Sequence, residues 1–278
     1  MKILGITIGQ GSGCAVYDSN KIVFASSEER YTRIKSDEAY PINSINDGIK
    51  FSNIKPNEFD QILIAGTNIT LFPVLLRQFS GFSVKEHIEM MEKYWYPTLV
   101  KHEKKSMLDL FSSKISKDVY PFNTKIINEL NFENIEHPPT LDDVEKISDF
   151  FKTSIASQLK IDKSIITHID HHACHAAYAF YGSPIRDDNT LVITADAWGD
   201  DLSGSISLFD KKSNKLNKVQ EYSHKEFQLA RLYRYVTLYL RMLPNQHEYK
   251  VMGLAPYYNG NTSEVEKVFS NMLSLDYL

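Results

Sequence analysis

The chain has 278 residues, of which 42% are hydrophobic and 12% aromatic, enough for one large domain or two small ones. Its 31 basic and 35 acidic residues give a formal net charge of -4, so a polyanion-binding protein is disfavoured and no nucleic-acid partner is expected. Two cysteines imply no disulfide framework, and the sequence shows neither a signal peptide nor a long apolar run. These features predict a soluble, cytoplasmic protein without a membrane partner.

The first part of the chain has the pattern of a strand, a glycine-rich turn, a hairpin and a helix. The turn is residues 9–13 (GQGSG), and the charged stretch at 28–35, alone, is typical of a solvated turn. The predicted elements are strands at 2–8, 13–17 and 21–27, a helix at 41–51 that starts at a proline, and a strand at 61–65.

Residues 70–160 change character, because apolar residues recur at helical spacing in 84–110 and 144–159 and no strand pattern is present. We therefore predict a mainly helical insertion at about 70–160. The lysine-rich stretch at 101–105 is interpreted as the solvated face of a helix.

After the insertion the opening pattern recurs. The predicted elements are a strand at 165–169, a helix at 171–181, a strand at 191–196, a polar turn at 199–204, hairpin strands at 205–209 and 218–222, and a helix at 225–240.

This weak repeat predicts an α/β protein with the duplicated, ribonuclease-H-like halves of an actin-like ATPase fold. The first half would be residues 1–189, including the insertion, and residues 190–278 would start a second half that is incomplete. In this plan the turn after each first strand offers backbone N–H groups to the phosphates of a nucleotide.

A histidine pair is the strongest candidate for chemistry. His171 and His175 are four residues apart on a predicted helix, so both rings lie on one face, close enough to bind one metal ion. Asp196 ends an apolar strand, where a carboxylate is costly unless it meets a metal, a donor or solvent. The alternative interpretation is a pair of ordinary histidines and a turn aspartate. His172 is predicted to be structural, and Cys174 to pack as a small apolar residue.

Four segments together resemble the O-carbamoyltransferase family of nodulation-factor and antibiotic biosynthesis, which includes the cephem carbamoyltransferases. The segments are residues 28–35 (EERYTRIK), 171–180 (HHACHAAYAF), 194–200 (TADAWGD) and 245–257 (NQHEYKVMGLAPY). They occur in the family's order and extend over nearly the whole chain.

The resemblance implies an actin-like catalytic domain related to the transferase that installs threonylcarbamoyl on tRNA. Such a domain moves a carbamoyl group from carbamoyl-adenylate to a hydroxyl of a small molecule, such as a sugar, an antibiotic or another secondary metabolite. A separate domain, in cis or in trans, makes the adenylate from ATP and carbamoyl phosphate. The chain alone is therefore expected to form no product when it is given only ATP and carbamoyl phosphate. A homodimer is possible in this interpretation.

Carried over by the resemblance, His171, His175 and Asp196 are the catalytic residues and the ligands of a divalent metal, expected to be iron(II). The cofactor-binding candidates are Gly9, Gly11, Ser12, Gly13, Gly199, Lys250 and Gly253. The family's further aspartate from the late second half has no counterpart here. The family's His-Asp pair in the first turn is replaced by Gln10-Gly11, and Ala197 stands where the family has glycine.

Two alternatives remain open at this point. One is a protein like the tRNA threonylcarbamoyl transferase, which the acidic net charge and residues 28–35 and 249–253 disfavour. The other is a non-catalytic nucleotide- or metal-binding remnant of the same fold, which the changed first turn favours. In either transferase the insertion is where we expect acceptor selection, because loops beside a cleft vary with the ligand.

Overall fold

The computed structural model describes residues 1–67, 82–114, 141–185, 187–224, 226 and 229–270. A first sheet has five strands in the order β3-β2-β1-β4-β5. They are β1 (Ile3–Thr7), β2 (Gly13–Asp18), β3 (Lys21–Ser27), β4 (Gln61–Ala65) and β5 (Ile166–Ile169). Strands β1, β4 and β5 run parallel, whereas β1, β2 and β3 form an antiparallel meander.

A second sheet is an antiparallel meander of three strands, β6 (Leu191–Gly199), β7 (Leu202–Asp210) and β8 (Lys215–Ser223). Strands β6 and β7 are joined at Asp200 and Asp201, both of which have positive φ (51° and 62°), as a tight hairpin turn requires. Strand β6 was predicted to end at Asp196, and this is wrong, because the strand continues to Gly199 with Asp196 inside it.

The helices are α1 (Glu29–Thr32), α2 (Ile42–Ser52), α3 (Val84–Met90), α4 (Tyr96–Leu99), α5 (Met107–Phe111), α6 (Leu141–Leu159), α7 (His171–Gly182), α8 (Leu229–Tyr239), α9 (Glu248–Leu254) and α10 (Ser263–Ser270). A π-helical turn, Met91–Trp95, joins α3 to α4. Across the described ranges, no helix has the length and apolarity needed to cross a membrane. Strands and helices together confirm the α/β class.

The described parts of the insertion, 82–114 and 141–159, contain helices and irregular chain but no strand, as predicted. The helix predicted at 84–110 is wrong in its extent, because α4 ends at Leu99 and His102 has a left-handed φ of 57°. The lysines at 101–105 therefore lie on an exposed irregular segment and not on a helix face. Their like charges would repel one another at helical spacing. The parts of the prediction that fall on 70–81 and 115–140 lie outside the described residues.

The charged stretch at 28–35 is exposed over most of its length, as predicted, but Glu28 at its start is buried and so is Asp37 just after it. Glu28 and Asp37 are each 1% exposed. The Glu28 carboxylate accepts hydrogen bonds from the backbone N–H of Asn43 (3.0 Å) and of Ser44 (2.8 Å) in the first turn of α2. It thereby satisfies donors that a helix start leaves without an intrahelical partner. Pro41 is the N-cap of this helix, which begins at Ile42, one residue after the predicted start.

The main core lies between the first sheet and helices α2 and α6. Leu4 and Ile62 from the sheet, Ile45 from α2, and Phe151 and Ile155 from α6 are each no more than 2% exposed. A separate small core joins α7 to the second sheet and consists of Ala176, Phe180, Val192 and Phe209. Helix α7 thus begins where β5 of the first sheet ends and packs on the second sheet, which places its first turn between the two.

Candidate metal centre

Two carboxylates fix the start of helix α7. Asp170 is its N-cap and accepts a hydrogen bond from the N–H of Ala173 at 2.6 Å. Asp200, from the β6–β7 turn, accepts from the N–H of His171 at 2.7 Å. Both bonds satisfy N–H groups that the first turn of a helix cannot pair internally. The helix therefore begins at His171, and His175 follows one turn later with its ring centroid 4.6 Å away.

Strand β6 brings Asp196 to this histidine pair. Ala195 pairs with Gly204 and Gly199 pairs with Leu202, so the three residues 196–198 face a single residue of β7 in a bulge. Such bulges re-aim side chains out of the regular ladder. Asp196 Oδ2 lies 2.7 Å from His171 Nε2 and 3.4 Å from His175 Nε2. The alternative of a turn aspartate is wrong.

These three side chains form a convergent set, which we call the triad: His171, His175 and Asp196. The two Nε2 atoms are 2.9 Å apart, and all three ligand atoms lie within 4.8 Å of one another. The side chain of His175 is 51% exposed, so a ligand can reach the triad from solvent.

The charge state of the triad follows from its hydrogen bonds. Burial opposes ionisation of Asp196, but bonds from His171, His175 and the N–H of Ala197 hold the pKa of this carboxyl well below its usual range. The same bond to Asp196 raises the pKa of His171. An ionised carboxylate therefore faces two imidazoles at neutral pH.

The triad fits a divalent cation. Two imidazole nitrogens and one carboxylate oxygen are the donor set of the two-histidine, one-carboxylate sites that hold non-haem iron(II). The separations of 2.7, 2.9 and 3.4 Å between the ligand atoms are close to the roughly 3 Å expected between neighbouring ligands that are each about 2.1 Å from a metal.

Gly199 contributes space to the triad. A Cβ atom built on Gly199 would lie 2.2–2.4 Å from three atoms of the His171 ring. Such contacts do not occur in proteins, so only glycine lets the ring take this position. Gly199 is a predicted cofactor-binding residue, and in this structure it lies against the back of the His171 ring.

Asp200 was predicted only as a residue of the polar turn at 199–204, and the structure also bonds it to the start of α7. Its two carboxylate oxygens both accept from the N–H of Thr67 at 2.9 Å, and one of them also accepts from His171. It therefore ties the segment after β4 to the start of α7. The available signal was an acidic residue directly after the bulged strand, but its partners lie 29 and 133 residues away in the chain.

The chain matches the carbamoyltransferase N-terminus family model over residues 2–276. It belongs to this family. It is 28% identical over 282 residues to an uncharacterized protein of Synechocystis sp., covering 98% of this chain and 37% of that protein. It is 27% identical over 275 residues to an uncharacterized protein of Methanocaldococcus jannaschii, covering 92% of this chain and 42% of that protein. The chain thus spans about two fifths of the length of these relatives.

The first glycine-rich turn of this carbamoyltransferase-family chain has two different parts. Gly9 and Gly11 have φ of 116° and 72°, in the left-handed region that favours glycine, and Gly11 is exposed. Ser12 is buried, and its N–H donates to the carbonyl of Asp37 at 2.9 Å. A Cβ at Gly13 would lie 2.4 Å from the carbonyl oxygen of Ser26. In this structure Ser12 ties the turn to the loop at Asp37, Gly13 lets β2 lie close to β3, and Gly9 and Gly11 form the turn itself.

The C-terminal segment of the family resemblance folds against that first turn. Gln10, in place of the family's histidine, donates from Nε2 to the carbonyl of Asn245 at 2.7 Å. Lys35 Nζ lies 3.9 Å from the ring centroid of Tyr249. Lys250 and Gly253 are exposed residues of α9. Lys250 Nζ lies 5.9 Å from the same ring.

His172 and Cys174, which lie between the two histidines of the triad in the chain, pack inside the protein rather than joining the triad. His172 is fully buried, and its Nδ1 lies 2.8 Å from the hydroxyl of Thr194 on β6, as a structural role predicts. Burial lowers the pKa of His172, which disfavours the protonated ring. Cys174 is partly buried, and burial raises the pKa of its thiol. A protonated thiol is a poor nucleophile, in agreement with the packing role expected for Cys174.

Proposed function

We propose that this chain is the catalytic N-terminal region of an O-carbamoyltransferase, which moves a carbamoyl group from carbamoyl-adenylate to a hydroxyl of a small molecule. The observation that carries the proposal is the convergence of His171, His175 and Asp196 in a chain of the carbamoyltransferase N-terminus family. Family membership supports carbamoyl transfer as a class, and the triad supplies a place for the reaction.

In the proposed reaction the acceptor oxygen forms a bond to the carbamoyl carbon. The bond from that carbon to the phosphate oxygen of the adenylate breaks, AMP leaves, and the hydroxyl proton passes to a base or to solvent. A divalent ion, iron(II) in this proposal, polarises the carbamoyl carbonyl when bound. His171, His175 and Asp196 would hold that ion, and Asp200 fixes the backbone of the first of them. Gln10 has no basic atom, so it is assigned a binding role only.

The fold supports the wider proposal of an actin-like, ribonuclease-H-like duplication with halves at 1–189 and 190–278. Both sheets open with a three-stranded antiparallel meander, and in the first sheet two parallel strands extend it beside β1. We propose that the Gly9–Gly11 turn, whose Gln10 is bonded to Asn245 just before the helix that carries Lys250, binds the adenylate. Formation of that adenylate from ATP and carbamoyl phosphate is assigned to another domain, in cis or in trans, because the relatives are more than twice as long as the matched region.

Metal content tests the proposed triad. Purified protein reconstituted with iron(II) without oxygen is expected to hold about one ion per chain, and His171→Ala, His175→Ala and Asp196→Ala are each expected to lose it. His102→Ala is the matched control, because His102 is exposed on the irregular segment after α4. A triple variant that retains the same metal content as the wild type would overturn the site.

Transfer itself is measured with radiolabelled carbamoyl-adenylate and a set of small hydroxyl compounds. The proposal expects carbamoylated product from the metal-loaded protein and none from ATP with carbamoyl phosphate alone. The changed residue Gln10 favours one second candidate, a metal-binding relative that has lost catalysis. Full metal occupancy in the longest natural form of the protein, with no transfer to any compound, would select that candidate.

A further inference from the structure

Helix α8 brings an arginine to the bulge of β6. Arg231 lies in the first turn of this helix, and its Nε donates a hydrogen bond to the carbonyl of Ala197 at 3.2 Å. Ala197 follows Asp196 directly and is one of the three residues of the bulge. Because α8 also packs against β6, the guanidinium is held at the end of the strand that carries Asp196.

Ala197 joins this arginine to the triad. Its N–H donates to Asp196 Oδ1 at 2.6 Å, while its carbonyl accepts from Arg231. Only the N, Cα, C and O atoms of one residue separate these two bonds, so Arg231 Nε is no more than about 10 Å from the Asp196 carboxylate. The other oxygen of that carboxylate faces His171. A small molecule of ordinary length can therefore contact the triad and the guanidinium at once.

The positive charge of Arg231 is not balanced by an acidic side chain. Within the described ranges, its hydrogen-bond partner is the carbonyl of Ala197, and no carboxylate oxygen lies within 4.0 Å of the guanidinium. By contrast, Lys218, beside the start of α7, is paired with Asp170 at 3.1 Å and with Glu221 at 2.6 Å. Arg231 is partly buried, and its two terminal nitrogens keep four N–H donors. Since a buried charge without a counter-charge is costly, this arrangement favours an anionic ligand.

We infer that Arg231 is a further catalytic residue, which binds the phosphate of the carbamoyl-adenylate. The inference rests on the proposed carbamoyl transfer and deepens it by naming the cation that meets the leaving group. The phosphate is assigned to Arg231 and the remainder of the adenylate to the Gly9–Gly11 turn. A planar guanidinium can donate two parallel N–H bonds to phosphate oxygens.

The same contact would stabilise the departing AMP. As the bond from the carbamoyl carbon to the phosphate oxygen breaks, that oxygen keeps the electron pair and the phosphate gains one negative charge. N–H donors that are already in place for this charge stabilise the departing AMP more than the intact adenylate. Arg231 is therefore expected to accelerate transfer as well as to bind the donor.

Binding of AMP, adenosine and inorganic phosphate to the whole chain is measured by isothermal titration calorimetry. The protein is metal-free, so that phosphate cannot bind through an ion in the triad. We expect Arg231→Gln to weaken AMP binding at least about tenfold, the size of one lost charged hydrogen-bond contact, and to leave adenosine binding unchanged. Arg231→Lys keeps the charge without the planar fork and should fall between the two. Arg241→Gln is the matched control, because Arg241 is exposed just after the same helix.

Several results would overturn the assignment of Arg231. They are equal AMP affinity in the wild type and Arg231→Gln, an equal loss of adenosine binding, and a wild-type chain that binds phosphate but not AMP or binds neither. Loss of metal from iron-loaded Arg231→Gln would also overturn it, because a purely structural role at the bulge predicts that loss. AMP binding that depends on Arg231, without carbamoyl transfer by the metal-loaded long form, instead counts against the proposed transferase.

Discussion

Glu28 shows how one side chain can join two segments of the fold. Its carboxylate is 1% exposed and bonds to two N–H groups at the start of α2 and to the Asn43 amide. Its own N–H donates to the carbonyl of Ser12 at 2.8 Å. Glu28 therefore connects the first glycine-rich turn to a core helix.

We expect Glu28→Ala to lower the free energy of unfolding by about 3 kcal/mol, because it leaves buried N–H donors without an acceptor. Glu28→Gln keeps an acceptor oxygen and should lose only about 1 kcal/mol. Urea denaturation followed by circular dichroism measures both. Equal losses in the two variants would show that the carboxylate's hydrogen bonds are not the source of the stability.

Asp200 is a positioning residue for the triad rather than a ligand of the proposed metal. Asp200→Asn is expected to weaken metal binding by about tenfold, the size seen when a supporting partner of a metal ligand is lost. Asp201→Asn, at the next and exposed position of the same turn, should leave metal affinity unchanged. Competition with a fluorescent chelator gives both affinities. Unchanged affinity in Asp200→Asn would assign this aspartate a purely structural role.

At the scale of elements, the bulge in β6 and the start of α7 decide where the triad lies. Gly199→Ala would push a Cβ into the His171 ring, whereas an added Cβ at Gly182, at the end of α7, meets no atom within 4 Å. We expect Gly199→Ala to lose metal binding and about 2 kcal/mol of stability. Gly182→Ala should retain both. Thermal unfolding and metal content of the two purified variants provide the comparison.

Should Gly199→Ala bind metal normally, the His171 ring would have to take another position in the metal-bound protein. The pair is matched because each variant adds one methyl group to a glycine at the end of an element. The difference between them therefore reports on the contact with His171 and not on glycine replacement in general.

The sequence predicted what local periodicity controls. The closeness of His171 and His175 could be predicted because a single helix carries both. The bounds of the strands in the first meander follow from alternating apolar residues. The burial of Glu28, the contact of Gly199 with the His171 ring and the hydrogen bonds of Asp200 were not predicted, because the partner of each is not its neighbour in the chain. A glycine after a strand looks the same in sequence whether it faces a phosphate or an imidazole.

At the scale of the whole molecule, the second sheet has one covered and one open face. Val192 and Phe209 pack against α7, but Leu191 and Ile193 on the alternate positions of β6 are 55% and 65% exposed. Across the ladder they pair with Leu208 and Ile206. Neighbouring exposed apolar side chains of this kind favour association.

We expect Ile193→Lys to reduce concentration-dependent self-association of the chain, because a charge on this apolar face opposes its burial. Ile22→Lys is the control, since Ile22 is 67% exposed on β3 of the other sheet. Sedimentation velocity over a range of concentrations measures both. A monomeric wild-type chain, or equal self-association of the two variants, would contradict association through the apolar face of β6.

The histidine–aspartate triad is compact along the chain as well as in space. His171 and Asp196 are only 25 residues apart, whereas the bond from Thr67 to Asp200 spans 133 residues. Short loops close with less loss of chain entropy than long ones, so local contacts form early in folding. The helix and bulged strand can therefore gather the three ligand side chains before the first sheet docks. The bond from Thr67 to Asp200 is expected to form later, when the first sheet docks.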